Sequence, residues 1–107
     1  MIEAQALIDC VLTYNPKSDV SLIQAAYEYG KQKHEGQFRR SGEQYFSHPI
    51  EVAMILAQQK LDDSTIVTAL LHDTIEDTGS TKKNIAEKFS TEIADLVDGV
   101  TKLTQMQ

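Results

Sequence analysis

Apolar residues recur at intervals of three and four along most of this chain, and this spacing limits the fold more than any other feature. In a helix of 3.6 residues per turn, side chains at these intervals lie on one face. The first such face carries Ala4, Leu7, Ile8, Val11 and Leu12, and no segment shows a strong strand signal. The pattern predicts an all-α fold.

Turn and capping residues divide the pattern into about five to six helices. The first covers about residues 2–12, the second runs from a cap at Ser18 or Asp19 to about His34, and the third begins with Ser47 as its N-cap. Three more are expected: from a cap at residue 62, 63 or 64 to residue 78, from a cap at 80 or 81 to 89, and from about 91 onward. The inner face of the last helix is predicted to carry Ile93, Leu96, Val97 and Val100. These helices predict a compact bundle forming a single domain over residues 1–107.

Length, cysteine content and net charge narrow the class of protein. A chain of 107 residues has room for one domain with a modest core. Cys10 is the only cysteine, which excludes an intramolecular disulfide, and no apolar stretch is long enough to cross a bilayer. We therefore expect a cytoplasmic protein without a membrane partner. The net charge of -6 disfavours nucleic acid as a partner, because a polyanion would be repelled.

The longest irregular stretch is QFRRSGEQYFS, residues 37–47, where the helical period is lost. Its Ser-Gly pair and its aromatic residues predict a turn or a short hairpin. Lys31, Lys33, Arg39 and Arg40 concentrate positive charge in this part of an acidic chain. Two interpretations stay open on these residues alone: a solvated basic face or a local anion site.

The segment LLHDTIEDT, residues 70–78, converts an apolar helix face into a cluster of ionisable groups. Burying such groups without partners is costly. In a helix that continues to residue 78, His72 and Glu76 share one strip, and Asp73 and Asp77 share the next. Imidazole and carboxylate together suit a divalent transition metal such as Mn²⁺, Fe²⁺ or Zn²⁺. The alternative is an ordinary solvated helix end.

His48, at the start of the third helix, favours the metal interpretation. It can approach from a neighbouring element, so that His48, His72 and Asp73 would offer two imidazoles and one carboxylate. Glu76 and Asp77 are expected one turn farther along, within reach to orient or deprotonate a water.

The loop before His48 carries two further candidates, Arg39 and Arg40. Guanidinium groups bind phosphate in a bidentate manner and stack on base rings, so this pair could hold a nucleotide polyphosphate over a metal. We expect Tyr45 and Phe46 in the core rather than against a base.

Three phrases, HEGQFRRSGEQYFSHPIEVAMILA, TALLHDTIEDT and IADLVDGVTKL, resemble in order and spacing the N-terminal hydrolase domain of the bifunctional Rel/SpoT alarmone enzymes. That domain belongs to the HD phosphohydrolase superfamily. The resemblance covers about residues 20–104, and three motifs in the same order make it specific. It implies an all-helical domain that removes pyrophosphate from the 3′ position of guanosine tetra- and pentaphosphate, with Mn²⁺ or another divalent transition metal as cofactor.

The resemblance also implies roles for individual residues. Carried over by position, His48, His72 and Asp73 look like three of the metal ligands of that family. Glu76 and Asp77 match its acids that position or activate the attacking water.

Arg39 and Arg40 match the basic pair that the family places against the guanine and nearby phosphates. One departure lies in the same loop, where Gln44 stands in place of a proline that is usual in the family. This change is expected to loosen the loop without removing a ligand.

A second departure concerns the end of the chain. The family's fourth protein ligand, an aspartate, lies downstream of VDGVTKL on a helix that these 107 residues do not include. We therefore expect a partial domain without the C-terminal helices, a weakened metal site, and exposed apolar faces on the last two helices. Such faces favour a homo-oligomer or a complementing chain.

Three hypotheses follow for function. The first is a Mn²⁺-dependent alarmone pyrophosphohydrolase, and the second is a chain that keeps metal or nucleotide binding, or a protein interaction, without turnover. The third is an HD phosphohydrolase for another nucleotide, which the phrases VDGVTKL and GQFRRSGE disfavour because they resemble the alarmone branch.

Overall fold

The computed structural model describes residues 1–106 and confirms the all-α fold. The helices are α1 Ala4–Tyr14, α2 Val20–Lys33, α3 Ser47–Gln58, α4 Asp63–Leu71, α5 Thr74–Asp77, α6 Lys82–Lys88 and α7 Thr91–Gln105. Six of these have seven residues or more, and α5 is a single turn of four. No strand forms among the described residues. No helix among them is both long and apolar enough to cross a membrane.

Helix α4 lies at the centre of the bundle, where it contacts α2, α3 and α7. Every residue from Ile66 to Leu71 is buried, as expected of a helix surrounded on all sides. Gly30 allows α2 to approach it closely, because a Cβ at this position would lie 2.8 Å from the Leu70 carbonyl oxygen and 2.5 Å from Phe46 Cε1. The core therefore brings the C-terminal end of α4 against α2 and the start of α3.

Side chains cap the helices at three of the predicted positions. Asp19, Asp62 and Thr81 each accept a hydrogen bond from the backbone N–H three residues farther on. Each bond satisfies a donor that the first turn of a helix leaves without an intrahelical partner.

The predicted N-cap at Ser47 is wrong. Phe46 occupies the N-cap position without a side-chain cap, and Ser47 is buried in the first turn of α3. The chain already turns before this point, because the Ser47 N–H bonds to the Gln44 carbonyl and the His48 N–H to that of Tyr45. His48 nevertheless lies at the mouth of α3, as predicted.

The predicted helix over residues 62–78 is interrupted at His72 and Asp73, so the shared strip expected for His72 and Glu76 does not form. At the end of α4, side chains form hydrogen bonds to backbone carbonyl oxygens. His72 Nδ1 lies 2.6 Å from the Ala69 carbonyl oxygen, and Thr74 Oγ1 donates to the Leu71 carbonyl oxygen at 2.8 Å. Such local bonds compete with the helical pattern. His72 and Asp73 consequently lie on a turn between α4 and α5.

The predicted hairpin is present between α2 and α3. Phe38 and Gln44 form its single bridge, and two backbone bonds of 2.8 Å flank it, from Arg39 N–H to Glu43 and from Tyr45 N–H to Gln37. Its two sides meet at a turn of residues 40–43, in which Gly42 has a positive φ of 91°.

The predicted inner face of α7 is partly wrong. Ile93 and Val97 are buried, but Leu96 is 41% exposed and Val100 is only half-buried. Within residues 1–106, α7 packs against α4, α5 and α6, and Leu96 and Val100 lie in an open groove that residues of α3 and α4 also line.

Candidate metal centre

Three of the predicted site residues converge although they come from different elements. His48 lies in the first turn of α3, and His72 and Asp73 form the turn between α4 and α5. One ligand atom from each lies within 4.8 Å of the others. Asp73 Oδ2 is 3.2 Å from His72 Nε2 and 3.9 Å from His48 Nε2.

The orientation of His72 is set by the end of α4. Its Nδ1 lies 2.6 Å from the Ala69 carbonyl oxygen. Because a carbonyl oxygen only accepts hydrogen bonds, Nδ1 carries the proton, and Nε2 presents its lone pair to the cluster. Histidines that ligate metals are commonly held by a bond of this kind.

The cluster is partly shielded but reachable from solvent. The side chains of His48, His72 and Asp73 are 39%, 17% and 15% exposed. The two imidazole rings lie 5.5 Å apart, at an interplanar angle of 68°. A small ion can enter at His48, and the buried side of the cluster limits competition from water.

The donor chemistry of the cluster fits a divalent transition metal. Two imidazole nitrogens and one carboxylate oxygen are the ligands that suit Mn²⁺, Fe²⁺ or Zn²⁺, and three protein ligands leave positions open for substrate or water. The site can therefore hold such a cation through His48, His72 and Asp73.

Tyr45 contacts this centre, although the sequence suggested a core position for it. Its hydroxyl donates to Asp73 Oδ2 at 2.8 Å, whereas the neighbouring Phe46 is buried as predicted. Burial and the negative charges of Asp73 and Asp77 raise the pKa of Tyr45 well above its ordinary value. The phenol therefore stays protonated and remains a donor to Asp73.

The two acids expected to handle water lie outside the three-residue cluster. Glu76 and Asp77 are exposed on α5. The Asp77 carboxylate is near enough to the Tyr45 hydroxyl to raise its pKa. Asp77 is thus adjacent to the centre through Tyr45, and Glu76 lies on the same turn of helix.

The arginines differ in their surroundings. Arg39 Nη1 lies 3.3 Å from Glu51 Oε2, 3.7 Å from Glu43 Oε2 and 3.3 Å from Ser47 Oγ, which precedes His48 in α3. Arg40 is exposed and forms no ion pair within the part of the chain that the structure describes. Arg39 is therefore anchored beside the turn that carries His48, and Arg40 is available to an anion.

Comparison with known proteins assigns this chain to a family. Residues 26–107 match the family model described as HD domain. The chain belongs to the HD domain family. This HD domain is 54% identical over 95 residues to the GTP pyrophosphokinase of Myxococcus xanthus and 48% identical over 106 residues to the GTP pyrophosphokinase rsh of Brucella melitensis.

A third relative is the bifunctional (p)ppGpp synthase/hydrolase SpoT of Escherichia coli, 43% identical over 103 residues. The alignments cover 89%, 99% and 96% of this chain but only 12%, 14% and 15% of the three relatives. The chain thus spans a small part of their length, and within it the HD domain is of the Rel/SpoT type that the motifs indicated.

Two residues that the HD domain places behind the site were not singled out from the sequence. His34 packs its ring 4.8 Å from that of Tyr45, and Gln37 bonds both His34 and the Asp77 carbonyl. Tyr45 stands three positions before His48, a spacing that could have indicated a shared location at the start of α3. No local pattern marks Gln37, because its partners are distant in sequence.

Proposed function

We propose that this HD domain hydrolyses guanosine tetra- and pentaphosphate to GDP or GTP and pyrophosphate, as a Mn²⁺-dependent 3′-pyrophosphohydrolase of the stringent response. The observation that carries the proposal is the convergence of His48, His72 and Asp73. One relative, the enzyme of Escherichia coli, is named a (p)ppGpp synthase/hydrolase. An HD centre is the part of such a protein whose chemistry suits hydrolysis.

The reaction transfers a pyrophosphoryl group from the 3′ oxygen of the ribose to water. The water oxygen forms a bond to the phosphorus attached to the 3′ oxygen, and the bond between that phosphorus and the 3′ oxygen breaks. Pyrophosphate leaves, and the 3′ oxygen takes up a proton. A divalent cation held by His48, His72 and Asp73 would supply Lewis acidity that lowers the pKa of water at the centre.

We assign proton handling to Glu76 and Asp77. Both are exposed carboxylates on α5, directly after the turn that carries Asp73. A carboxylate placed beside a reacting water can accept a proton from it.

We assign recognition of the anionic substrate to Arg39 and Arg40. A guanidinium group binds phosphate with two parallel hydrogen bonds and stacks on a guanine ring. In the protein alone, Arg39 is paired with Glu51 and Glu43, so a phosphate must compete with these carboxylates. Arg40, which has no such pair among the described residues, would make the first contact.

The test is pyrophosphate release by the purified chain supplied with Mn²⁺ and guanosine tetraphosphate. We expect release that falls to background in a His72→Ala variant and persists in the control Asp9→Asn, on the exposed face of α1. Replacing the alarmone with GTP or GMP checks the choice of substrate. The absence of release at high protein concentration would contradict autonomous activity.

A second candidate function is binding without turnover, in a chain that another polypeptide completes or that pairs with its own copy. The exposed leucines Leu96 and Leu103 on α7 favour it, at 41% and 65% exposure. Calorimetry with Mn²⁺ and a guanine nucleotide tests this candidate. Binding of either ligand without pyrophosphate release would support it, and binding of neither would exclude it.

A further inference from the structure

His34 is a buried polar residue behind the metal centre. It follows α2 and is only 2% exposed, with its ring 4.8 Å from Tyr45 and 6.4 Å from Phe46. Its Nδ1 lies 2.9 Å from Gln37 Oε1, whereas its Nε2 is buried without a hydrogen-bond partner in the part of the chain that the structure describes. An orphaned nitrogen costs free energy, and a phenylalanine would fill the same space without it. What His34 adds over phenylalanine is the bond to Gln37.

Gln37 also bonds to α5, the single helical turn that carries Glu76 and Asp77. Its Nε2 donates to the Asp77 carbonyl oxygen at 2.8 Å. Since the amide nitrogen is the donor, Oε1 is the acceptor, and His34 Nδ1 carries the proton. A chain of two hydrogen bonds thus runs from His34 through Gln37 to the end of α5.

Tyr45 forms a second link from His34 to the candidate metal centre. One side of its ring packs on His34, and its hydroxyl donates to Asp73 Oδ2 at 2.8 Å. This oxygen is also the one nearest to the two ligand histidines. The phenol therefore restrains the carboxylate at its ligand atom.

We propose that Gln37 and Tyr45, both held by His34, are positioning residues that fix the α4–α5 turn so that Asp73 and Asp77 face the reaction centre. The proposal rests on the proposed function for its effect on turnover. Its structural part concerns the turn itself and is testable without metal or substrate.

The first experiment measures amide hydrogen exchange in the metal-free protein. The Asp77 and Thr78 N–H groups bond to the carbonyls of Asp73 and Thr74, so they report opening of α5. Tyr45→Phe and Gln37→Leu should each speed exchange at these amides by about tenfold, the equivalent of one lost hydrogen bond. Amides of α1 should keep their wild-type rates.

Matched controls remove the same groups elsewhere. Tyr27→Phe deletes a hydroxyl that donates to the Ile2 carbonyl, and Gln24→Leu deletes an amide that donates to Glu28. Neither should alter exchange on α5. Unchanged exchange at Asp77 in the two test variants would overturn the proposal, and so would a uniform increase that includes α1.

The second experiment separates the two residues by Mn²⁺ calorimetry and kinetics. Tyr45→Phe should weaken Mn²⁺ binding by about 10- to 100-fold, the usual effect of losing a group that orients a ligand. Gln37→Leu should keep Mn²⁺ affinity within about threefold and lower kcat by about tenfold at unchanged KM, because Asp77 is not a proposed ligand. Weaker Mn²⁺ binding in Gln37→Leu together with unchanged Mn²⁺ binding in Tyr45→Phe would overturn the proposal.

His34→Phe tests the shared support. It keeps the aromatic packing on Tyr45 but removes Nδ1, so it should raise exchange at Asp77 as Gln37→Leu does while leaving Mn²⁺ affinity near that of wild type. Exchange at the wild-type rate in a folded His34→Phe variant would contradict the role of His34. A wild-type protein that releases no pyrophosphate would contradict the proposed function only, since hydrogen exchange still decides this inference.

Discussion

Asp73 has more roles in the candidate site than any other residue. Its Oδ2 lies within 4 Å of both histidine Nε2 atoms and accepts the hydroxyl of Tyr45. The side chain is only 15% exposed, so its charge is weakly hydrated and depends on these neighbours. A cation between the three ligands would offset that charge, which is the physical reason for expecting metal affinity here.

Asp73→Asn should remove most of this affinity. An amide oxygen carries no net charge and is a poorer ligand for a transition metal, so we expect Mn²⁺ binding to weaken by more than about 100-fold in calorimetry. The control is Asp9→Asn, on the exposed face of α1, which makes the same change of net charge. Equal affinities of the two variants would show that Asp73 is not a ligand.

At the scale of single elements, the close packing of α2 against α4 depends on Gly30. Gly30→Ala would bring a Cβ within 2.5 Å of Phe46 Cε1 and 2.8 Å of the Leu70 carbonyl oxygen, and the backbone oxygen cannot move aside. We expect a loss of about 1–3 kcal/mol in the free energy of unfolding in urea, despite the higher helix propensity of alanine.

Gly99 on α7 provides the matched control for that substitution. A Cβ at Gly99 meets no atom within 4 Å. Gly99→Ala should therefore raise the free energy of unfolding by about 0.5–1 kcal/mol through propensity alone. If both substitutions raised the free energy of unfolding, the packing of α2 against α4 would not depend on Gly30.

The N-cap of α4 gives a prediction about pH. Hydrogen bonds from the Thr65 hydroxyl and then from its backbone N–H lower the pKa of Asp62 below the ordinary value. A carboxyl group with a lowered pKa stabilises the fold above its unfolded pKa of about 3.9, and this contribution is lost as the pH falls through the folded value. Asp62→Ala should cost about 1 kcal/mol at pH 7 and less at pH 3.

Urea denaturation at the two pH values measures this difference. The control is Thr81→Ala, which removes the N-cap of α6 but no titrating group. Its cost should be the same at both pH values. A cost for Asp62→Ala that does not shrink at pH 3 would show that the carboxylate charge plays no part in the cap.

At the scale of the whole molecule, the surface of α7 carries an apolar set that the described chain leaves uncovered: Leu96, Leu103 and Met106, at 41%, 65% and 82% exposure. Exposed apolar area of this kind favours association. We expect the weight-average mass in sedimentation equilibrium to rise with protein concentration.

Leu103→Glu should weaken that association by about tenfold or more, since one buried leucine contributes about 1.5–3 kcal/mol. Gln105→Glu adds the same charge to the exposed side of α7 without removing apolar area, and it should leave the association nearly unchanged. A monomer mass for the wild-type chain at every concentration would exclude this surface as a self-association site.

Much of the fold followed from local patterns. The helical period predicted all six longer helices. Asp19, Asp62 and Thr81, each among the predicted cap candidates, marked the beginnings of three of them, because a cap and its helix are neighbours in sequence. The same reasoning was wrong at Ser47 and at His72. In both places, hydrogen bonds from nearby groups to carbonyls changed the helix boundary, and periodicity does not report such bonds.

The sequence by itself determined the helical class, and the motif residues His48, His72 and Asp73 marked a predicted metal site. Only the tertiary structure decided that their ligand atoms meet, because His48 reaches the others through the packing of α3 against α4. It also decided the places of Tyr45 and Gln37, whose partners Asp73 and Asp77 lie 28 and 40 positions away. Periodicity describes which face of a helix is buried, whereas the contacts between distant segments depend on how those faces pack together.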